Sequence, residues 1–143
     1  MRTRIIAAAA VVLGIAVPAA SLAAVGSFHS TVSAKLAGKS EVPNGSKTGS
    51  GTAVVKFNTK TSQACWTLKV TGLDKTLSAH VHKAPPGKNG PVVIPLGARF
   101  ATKGCVTIPM KTLKAVAGNP GAYYVNVHTR KYLNGAIRGQ LHA

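Results

Sequence analysis

Acidic residues are almost absent from this sequence. Among 143 residues only two are acidic, Glu41 and Asp74, against 18 lysines and arginines, and the formal net charge is +16. Two isolated carboxyl groups cannot readily supply the acid–base pair of a glycosidase. They cannot build the carboxylate-rich cage of a calcium site either. The composition therefore disfavours both classes and indicates partners of negative charge.

Aromatic residues are also few, with three Phe, three Tyr and one Trp. Domains that bind single-stranded nucleic acids stack the bases on such rings, and the lysines here are spread along the chain instead of forming a run. We therefore expect no specific nucleic-acid partner. The charge favours anionic cell-surface or extracellular polymers, with the loops Ala84–Asn89 and Arg130–Asn134 as candidate contacts. The alternative is that the lysines only keep the protein in solution.

Long hydrophobic stretches are missing apart from one near the beginning. A short basic start precedes an apolar run from Ile5 to Val17, which is shorter than the ~20 residues of a membrane-spanning helix. Small residues follow at Ser21 and Ala23, the positions that a signal peptidase reads. These features predict a secretory signal peptide over residues 1–23, cut after Ala23 or nearby, with a retained anchor as the alternative. We expect a secreted or cell-surface protein without a transmembrane segment after cleavage.

Cysteine occurs only twice, at Cys65 and Cys105. In an exported protein two cysteines most simply form one disulfide. It would close a loop of about 40 residues and stabilise the fold by about 4 kcal/mol on the chain-entropy model. Free thiols are the alternative. A zinc role is disfavoured, because neither cysteine has a partner at the short spacing of a C-x-x-C motif.

Glycine and proline interrupt the remaining sequence at short intervals, and β-rich runs lie between them. This spacing predicts a single all-β domain, an antiparallel sandwich or barrel of about eight strands with one short helix. We place a leader at residues 24–32 and the domain at 33–142. The strands are expected near residues 30–36, 51–58, 63–71, 77–83, 92–96, 104–108, 123–129 and 136–141, and the helix between Pro109 and Gly118.

Alternation along three of these strands puts polar side chains on one face of each. The residues are Ser78, His80 and His82 on the fourth strand, Asn126 and His128 on the seventh, and Arg138 and Gln140 on the last. If the three strands are neighbours in the sheet, these residues form one polar patch. The spacing along the chain does not say whether they are neighbours.

A metal site is one interpretation of this pattern. Two histidines at alternate positions of a strand can reach one ion, and His128 would supply a third imidazole. Three histidines with an open coordination position suit Cu(II) or Zn(II), and Ser78, Asn126 or Gln140 could orient the rings. The alternative is that the histidines only hydrogen-bond to polar neighbours. Hydrolytic catalysis at Ser78 is disfavoured, because neither acidic residue is placed to assist His80 and no G-x-S-x-G motif occurs.

Several short motifs follow one another in a defined order. They are L-x-G-x-x-E-V-P from Leu36, A-H-V-H from Ala79, G-x-N-G-P-V-V from Gly87, G-x-Y-Y-V-N-V-H-T from Gly121 and N-G-x-I-R-G-Q-L from Asn134. In this combination the chain resembles the CHRD domain, first described in chordin and also found alone in exported bacterial proteins. The resemblance covers roughly residues 33–141.

The resemblance implies an immunoglobulin-like, Greek-key β-barrel with a distant likeness to copper–zinc superoxide dismutases, and it implies no established activity. Those enzymes also carry copper ligands in an H-x-H on a barrel strand. Their bridging histidine, zinc ligands and zinc aspartate have no evident counterparts here, so dismutase activity is not expected. The sequence therefore predicts a non-catalytic extracellular binding module of unknown ligand. The alternative is a mononuclear copper- or zinc-binding protein that uses His80, His82 and His128.

Overall fold

The computed structural model describes residues 28–143, and the predicted signal peptide lies outside this range. Within it, eight β-strands, one α-helix and two short 3-10 turns follow one another. The strands are β1 (Thr31–Ala37), β2 (Ser50–Asn58), β3 (Gln63–Thr71), β4 (Thr76–Lys83), β5 (Val92–Pro95), β6 (Lys103–Thr107), β7 (Tyr123–Thr129) and β8 (Ile137–Gln140). Helix α1 (Met110–Gly118) lies between β6 and β7, and the 3-10 turns cover Gly38–Ser40 and Pro120–Ala122.

All eight strands belong to one antiparallel sheet, in the order β5-β4-β7-β8-β1-β2-β3-β6. The sheet curls into a nearly closed barrel, and the segment between β5 and β6 contacts both sides of the opening. Phe100 donates its N–H to the Leu77 carbonyl of β4 at 2.8 Å, and Leu68 of β3 donates to the Thr102 carbonyl at 2.7 Å. The prediction of an antiparallel all-β domain with one short helix is confirmed.

The core consists of alternate residues of the long strands, because successive side chains of a strand point to opposite faces. Examples are Ala53 and Val55 of β2, Ala79 and Val81 of β4, and Val125 and Val127 of β7, all fully buried. Helix α1 adds the apolar side that the sequence predicts for it, Leu113, Val116 and Ala117. No helix within residues 28–143 is long and apolar enough to cross a membrane.

The two cysteines face each other across the edge of the sheet. Cys65 of β3 pairs with Cys105 of β6, and their sulfurs are joined at 2.09 Å. The structure thus supports the predicted disulfide. The adjacent Trp66 is buried in the core, and its indole N–H donates to the Ala101 carbonyl at 3.0 Å. Such a hydrogen bond is what a buried tryptophan needs.

The sheet order makes β4, β7 and β8 neighbours, which the spacing along the chain left open. Two rows of residues therefore run across the three strands on the outer face of the barrel. They are His80–Asn126–Arg138 and His82–Tyr124–Gln140. The polar residues predicted on separate strands thus lie side by side in the fold.

This polar face is not the exposed surface that its polarity would indicate. Tyr124 and Asn126 are each 1 % exposed, and Arg138 is 2 % exposed. The loop that follows β4 covers them, and side chains of β8 bind its backbone carbonyls at Ala84 and Lys88. The outer face of these strands is therefore buried beneath loops, and the side chains buried there are mostly polar.

Candidate metal centre

Three histidines converge on this covered face. His80 and His82 come from β4 and His128 comes from β7, and one ring nitrogen of each lies within 4.8 Å of the others. The alternation of β4 turns both of its histidines outward, and the β4–β7 register places Ser78 opposite His128, so that the third ring lies beside the other two. The structure thus brings together the three residues that the sequence singles out as metal ligands.

Backbone carbonyls fix the protonation of two of the rings. Nδ1 of His82 lies 2.8 Å from the Gly90 carbonyl oxygen, and Nδ1 of His128 lies 2.9 Å from that of Leu133. A carbonyl can only accept a hydrogen bond, so each Nδ1 carries the proton and each Nε2 presents a lone pair. Metal-ligating histidines are held by the same kind of bond from the nitrogen that does not touch the ion.

The Nε2 atoms of His82 and His128 differ in their surroundings. Nε2 of His82 is buried and has no hydrogen-bond partner among the described residues. Nε2 of His128 lies 3.1 Å from Nδ1 of His80 and 3.1 Å from the Asn126 amide oxygen, which is itself an acceptor and forms no hydrogen bond with it in this tautomer. Because His128 already donates through Nδ1, His80 supplies the proton between the two rings, and a cation bound there would require that proton to move to Nε2 of His80.

Burial favours the neutral form of His80 and His82. It lowers the pKa of His80 from 6.5 to about 4, with further lowering by His128 and His82. It also lowers the pKa of His82, against the opposing effect of the Gly90 carbonyl. Only neutral imidazole has a free lone pair for a metal ion. His82 therefore presents its Nε2 lone pair at neutral pH, whereas His80 has to move its proton from Nδ1 to Nε2 before Nδ1 can bind an ion.

A stack of three side chains supports the cluster from one side. The rings of His82 and Tyr124 are parallel to within 4°, with centroids 4.8 Å apart. The guanidinium carbon of Arg138 lies 3.9 Å from the centroid of the same tyrosine. Because β4 and β8 flank β7 on opposite sides, the two groups cover opposite faces of the phenol ring. Arg138 thus holds the Tyr124 ring through a cation–π contact on one face. The other face of the same ring stacks on His82 and supports it.

A family comparison agrees with this architecture. The family model of the CHRD domain matches residues 32–141. The chain belongs to the CHRD-domain family. No curated protein and no solved structure matches the chain. The resemblance inferred from the order of short motifs is therefore confirmed, whereas the ligand of this CHRD domain has to be argued from its own residues.

Arg138 of the CHRD domain is a buried junction between strand β8 and two loops. It forms an ion pair with Glu41, N to O 3.0 Å, in which both side chains are almost completely buried. It donates to the Lys88 carbonyl at 2.9 Å and to the Asn89 side-chain oxygen. Burial raises the pKa of Glu41, and Arg138 acts in the opposite direction. Arg138 thus pairs with a carboxylate and with a backbone carbonyl at the same time.

This junction places the carbonyl that orients His82. Arg138 binds Lys88 and Asn89, and the next residue is Gly90, whose carbonyl accepts the proton from His82. The Gly90 N–H points to the Tyr124 hydroxyl at 3.4 Å, and the Asn89 amide donates to the Val42 carbonyl at 3.2 Å. Arg138 is therefore a positioning residue of the cluster and does not itself reach the ring nitrogens.

The other predicted members of the patch have different roles. Gln140 donates to the carbonyls of Ala84 and Gly121, both at 2.8 Å, so it anchors loops and touches no imidazole. Ser78 is paired with His128 in the register without a hydrogen bond to a ring nitrogen. Asn126 is the one predicted orienting residue that contacts a histidine.

Two contributors were not identified from the sequence. Tyr124 falls on the polar side by alternation, but nothing in the sequence indicates that it would stack on His82. Gly90 lies within one of the motifs of the family resemblance. It orients His82 through its backbone carbonyl, however, and every residue type has such a carbonyl. The motif G-x-N-G was the only available signal for this loop.

A cavity of about 270 Å³ adjoins the cluster. His82 and His128 line one part of it, and the apolar residues Val42, Pro43 and Leu133 line another. A three-histidine centre leaves a coordination position open to an external ligand. The cavity provides room for such a ligand next to two of the three rings.

Proposed function

We propose that this CHRD domain binds one copper or zinc ion through Nδ1 of His80, Nε2 of His82 and Nε2 of His128. The observation that carries the proposal is the fixed orientation of the rings. Two Nδ1–H groups are bound to backbone carbonyls, and the buried Nε2 of His82 is without a partner among the described residues. Three neutral nitrogen donors suit copper and zinc better than magnesium or calcium, which prefer oxygen ligands.

The proposed role is binding and not hydrolysis. A zinc hydrolase needs a carboxylate or another base close to the bound water. Glu41 is occupied by Arg138, and Asp74 accepts the Lys131 backbone N–H at 2.9 Å in another loop. The chain has no further acidic residue. We therefore infer a non-catalytic, metal-binding module that acts outside the cytoplasm, and the disulfide fits an oxidising compartment.

Calorimetric titration of the purified, tag-free protein with Cu(II) and with Zn(II) tests the proposal. We expect one-to-one binding with a submicromolar dissociation constant for at least one of the ions. His80→Ala and His128→Ala should each weaken it at least about a hundredfold, because losing a ligand costs more than losing a residue that only orients one, which typically costs about 10–100-fold.

His142→Ala is the matched control, because His142 contacts Ser33 away from the cluster. It should leave the affinity unchanged. Absence of binding by the folded wild-type protein would contradict the proposal. Equal loss of affinity in all three variants would do so as well, because it would indicate ions held by surface histidines in general.

A further inference from the structure

A separate cavity of about 760 Å³ lies between the segment 37–49 and the loop that follows β7. Besides small residues, its lining includes Lys39, Asn44, Lys47 and Tyr132. We call this cavity, which these four residues define, the Tyr132 groove. Its volume is within the range of about 300–1,000 Å³ that is typical of ligand sites. None of the three histidines of the candidate metal centre lines it.

The charged side chains that line the main cavity of the Tyr132 groove are both lysines. Lys39 and Lys47 are exposed in its lining, and Nζ of Lys131 lies 5.6 Å from the centroid of the Tyr132 ring. Both acidic residues of the chain lie outside this lining: Glu41 is paired with Arg138, and Asp74 accepts the Lys131 backbone N–H beside Tyr132. The cations at the groove are therefore not neutralised by carboxylates within it, and they attract an anionic ligand.

The aromatic ring is carried on a hydrogen-bonded turn. The Tyr132 N–H donates to the Thr129 hydroxyl at 3.1 Å, and the Tyr132 carbonyl accepts from the N–H groups of Thr129 and Gly135, both at 3.2 Å. These bonds fix the backbone of Tyr132, whose half-buried side chain lines the groove and has few rotatable bonds to order when a ligand binds. The face of a tyrosine ring suits the C–H side of a sugar ring, which is also flat and apolar.

The groove extends beyond its main cavity. Lys39 also lines an adjoining cavity of about 270 Å³, together with Pro86, Gly87 and the ion pair of Glu41 and Arg138, whose charges offset each other. One lysine thus belongs to two neighbouring cavities, one with a tyrosine and one without. This elongated shape fits a segment of a chain-like ligand better than a single small anion.

We propose that the Tyr132 groove binds a short segment of an acidic polysaccharide of the uronic-acid type. A sugar ring stacks on Tyr132, and carboxylates of the same or neighbouring sugars pair with Lys39 and Lys47. This goes beyond the metal-binding function and does not depend on it. Anionic polymers without sugar rings, such as polyphosphate, share the charge but lack the stacking partner.

Titration of the full protein with a short oligogalacturonate, monitored by calorimetry at low ionic strength, tests this inference. We expect one-to-one binding that weakens as salt is added. Tyr132→Ala and the double variant Lys39→Ala/Lys47→Ala should each raise the dissociation constant roughly tenfold, whereas Tyr132→Phe should keep the affinity. The matched control is Lys103→Ala/Lys111→Ala, which removes the same charge from exposed positions outside the groove.

The outcomes separate a site from general attraction. Equal weakening by both double lysine variants would overturn the proposal, because it would indicate binding to the overall charge. Unchanged binding in Tyr132→Ala would overturn it too, as would polyphosphate binding that depends on Tyr132 to the same degree. His80→Ala should bind the oligosaccharide with the affinity of the wild type, because His80 does not line the groove. Failure of the metal titration would therefore leave the proposal for the groove standing, and failure of the sugar titration would leave the metal site standing. Far-UV circular dichroism establishes that each variant is folded.

Discussion

At the scale of single residues, the cluster combines features that polar surface histidines rarely share. His82 and His128 each give their Nδ1 proton to a backbone carbonyl. Both Nε2 atoms are thereby left as acceptors, and the one on His82 is buried without a partner in the described part of the chain. A buried unpaired acceptor costs about 1–3 kcal/mol. A bound cation would remove this cost, which is why we favour a metal site over a purely structural polar cluster.

The low pKa of His80 predicts a pH-dependent stability. Because burial lowers this pKa from 6.5 to about 4, the unfolded chain binds a proton in this range that the native protein does not. The free energy of unfolding should therefore rise with pH between about 4 and 6.5. We expect a change of order 1–2 kcal/mol in the metal-free protein, less than the full linkage value because the ring is partly exposed.

Urea unfolding at a series of pH values measures this dependence. His80→Gln should flatten the curve, since the variant has no imidazole to protonate at this position. An unchanged slope in the variant would show that His80 is not responsible.

Because Glu41 and Arg138 form a buried ion pair, we expect the single variant Arg138→Met to be much less stable than a double variant that removes both charges. Arg138→Met leaves a carboxylate buried without its partner, which typically costs about 3–5 kcal/mol. The double variant Glu41→Gln/Arg138→Met should recover a substantial part of this loss. Unfolding by urea gives the free energies, and a double variant no more stable than Arg138→Met would contradict this description of the pair.

Arg138→Met should also weaken metal binding, because the loop that carries Gly90 loses its anchor.

These residue-level features were only partly predictable from the sequence. Alternation places His80 and His82 on one face, because a β-strand has a period of two residues. The approach of His128, by contrast, depends on the pairing of β4 with β7. His80 and His128 are 48 residues apart along the chain, and local sequence does not encode which distant strands become neighbours. The carbonyls of Gly90 and Leu133 could not be predicted, since their direction depends on loop conformation and not on residue type.

At the scale of secondary-structure elements, the strands agree closely with the turn signals in the sequence. The predicted strands 63–71 and 123–129 coincide with β3 and β7, and the others differ by one residue at one or both ends. Gly and Pro fix these boundaries because they favour conformations that end a strand. The burial of the outer face of β8 was not expected, because the loops that cover it carry no hydrophobic pattern.

A pair of glycine variants tests how tightly one loop packs onto this face. Gly135 has a φ of +129°, and a Cβ added there would overlap the Glu41 carboxylate. Gly135→Ala should therefore destabilise the protein by about 1–3 kcal/mol. A Cβ added at Gly118, at the end of α1, would meet no atom outside the helix within 4 Å, so Gly118→Ala should be neutral or stabilising by up to about 1 kcal/mol. Thermal unfolding compares the two, and an equal effect would contradict the described packing.

At the scale of the whole molecule, the disulfide stabilises one edge of the barrel. The Cys65–Cys105 bond links β3 to β6, the last strand in the sheet order. Replacing both cysteines by serine should lower the free energy of unfolding by about 2–4 kcal/mol. Urea unfolding under non-reducing conditions measures the difference. A double variant as stable as the wild type would show that the bond does not stabilise this edge of the barrel.

Electron paramagnetic resonance of the Cu(II)-loaded protein is the most direct test of the central claim. Nitrogen hyperfine coupling reports how many imidazoles bind the ion. The arrangement of His80, His82 and His128 around one point predicts coupling to three nitrogens, and His82→Ala should reduce the number to two. A spectrum that is the same in wild type and His82→Ala, or one that changes only in His142→Ala, would contradict a metal site in this cluster.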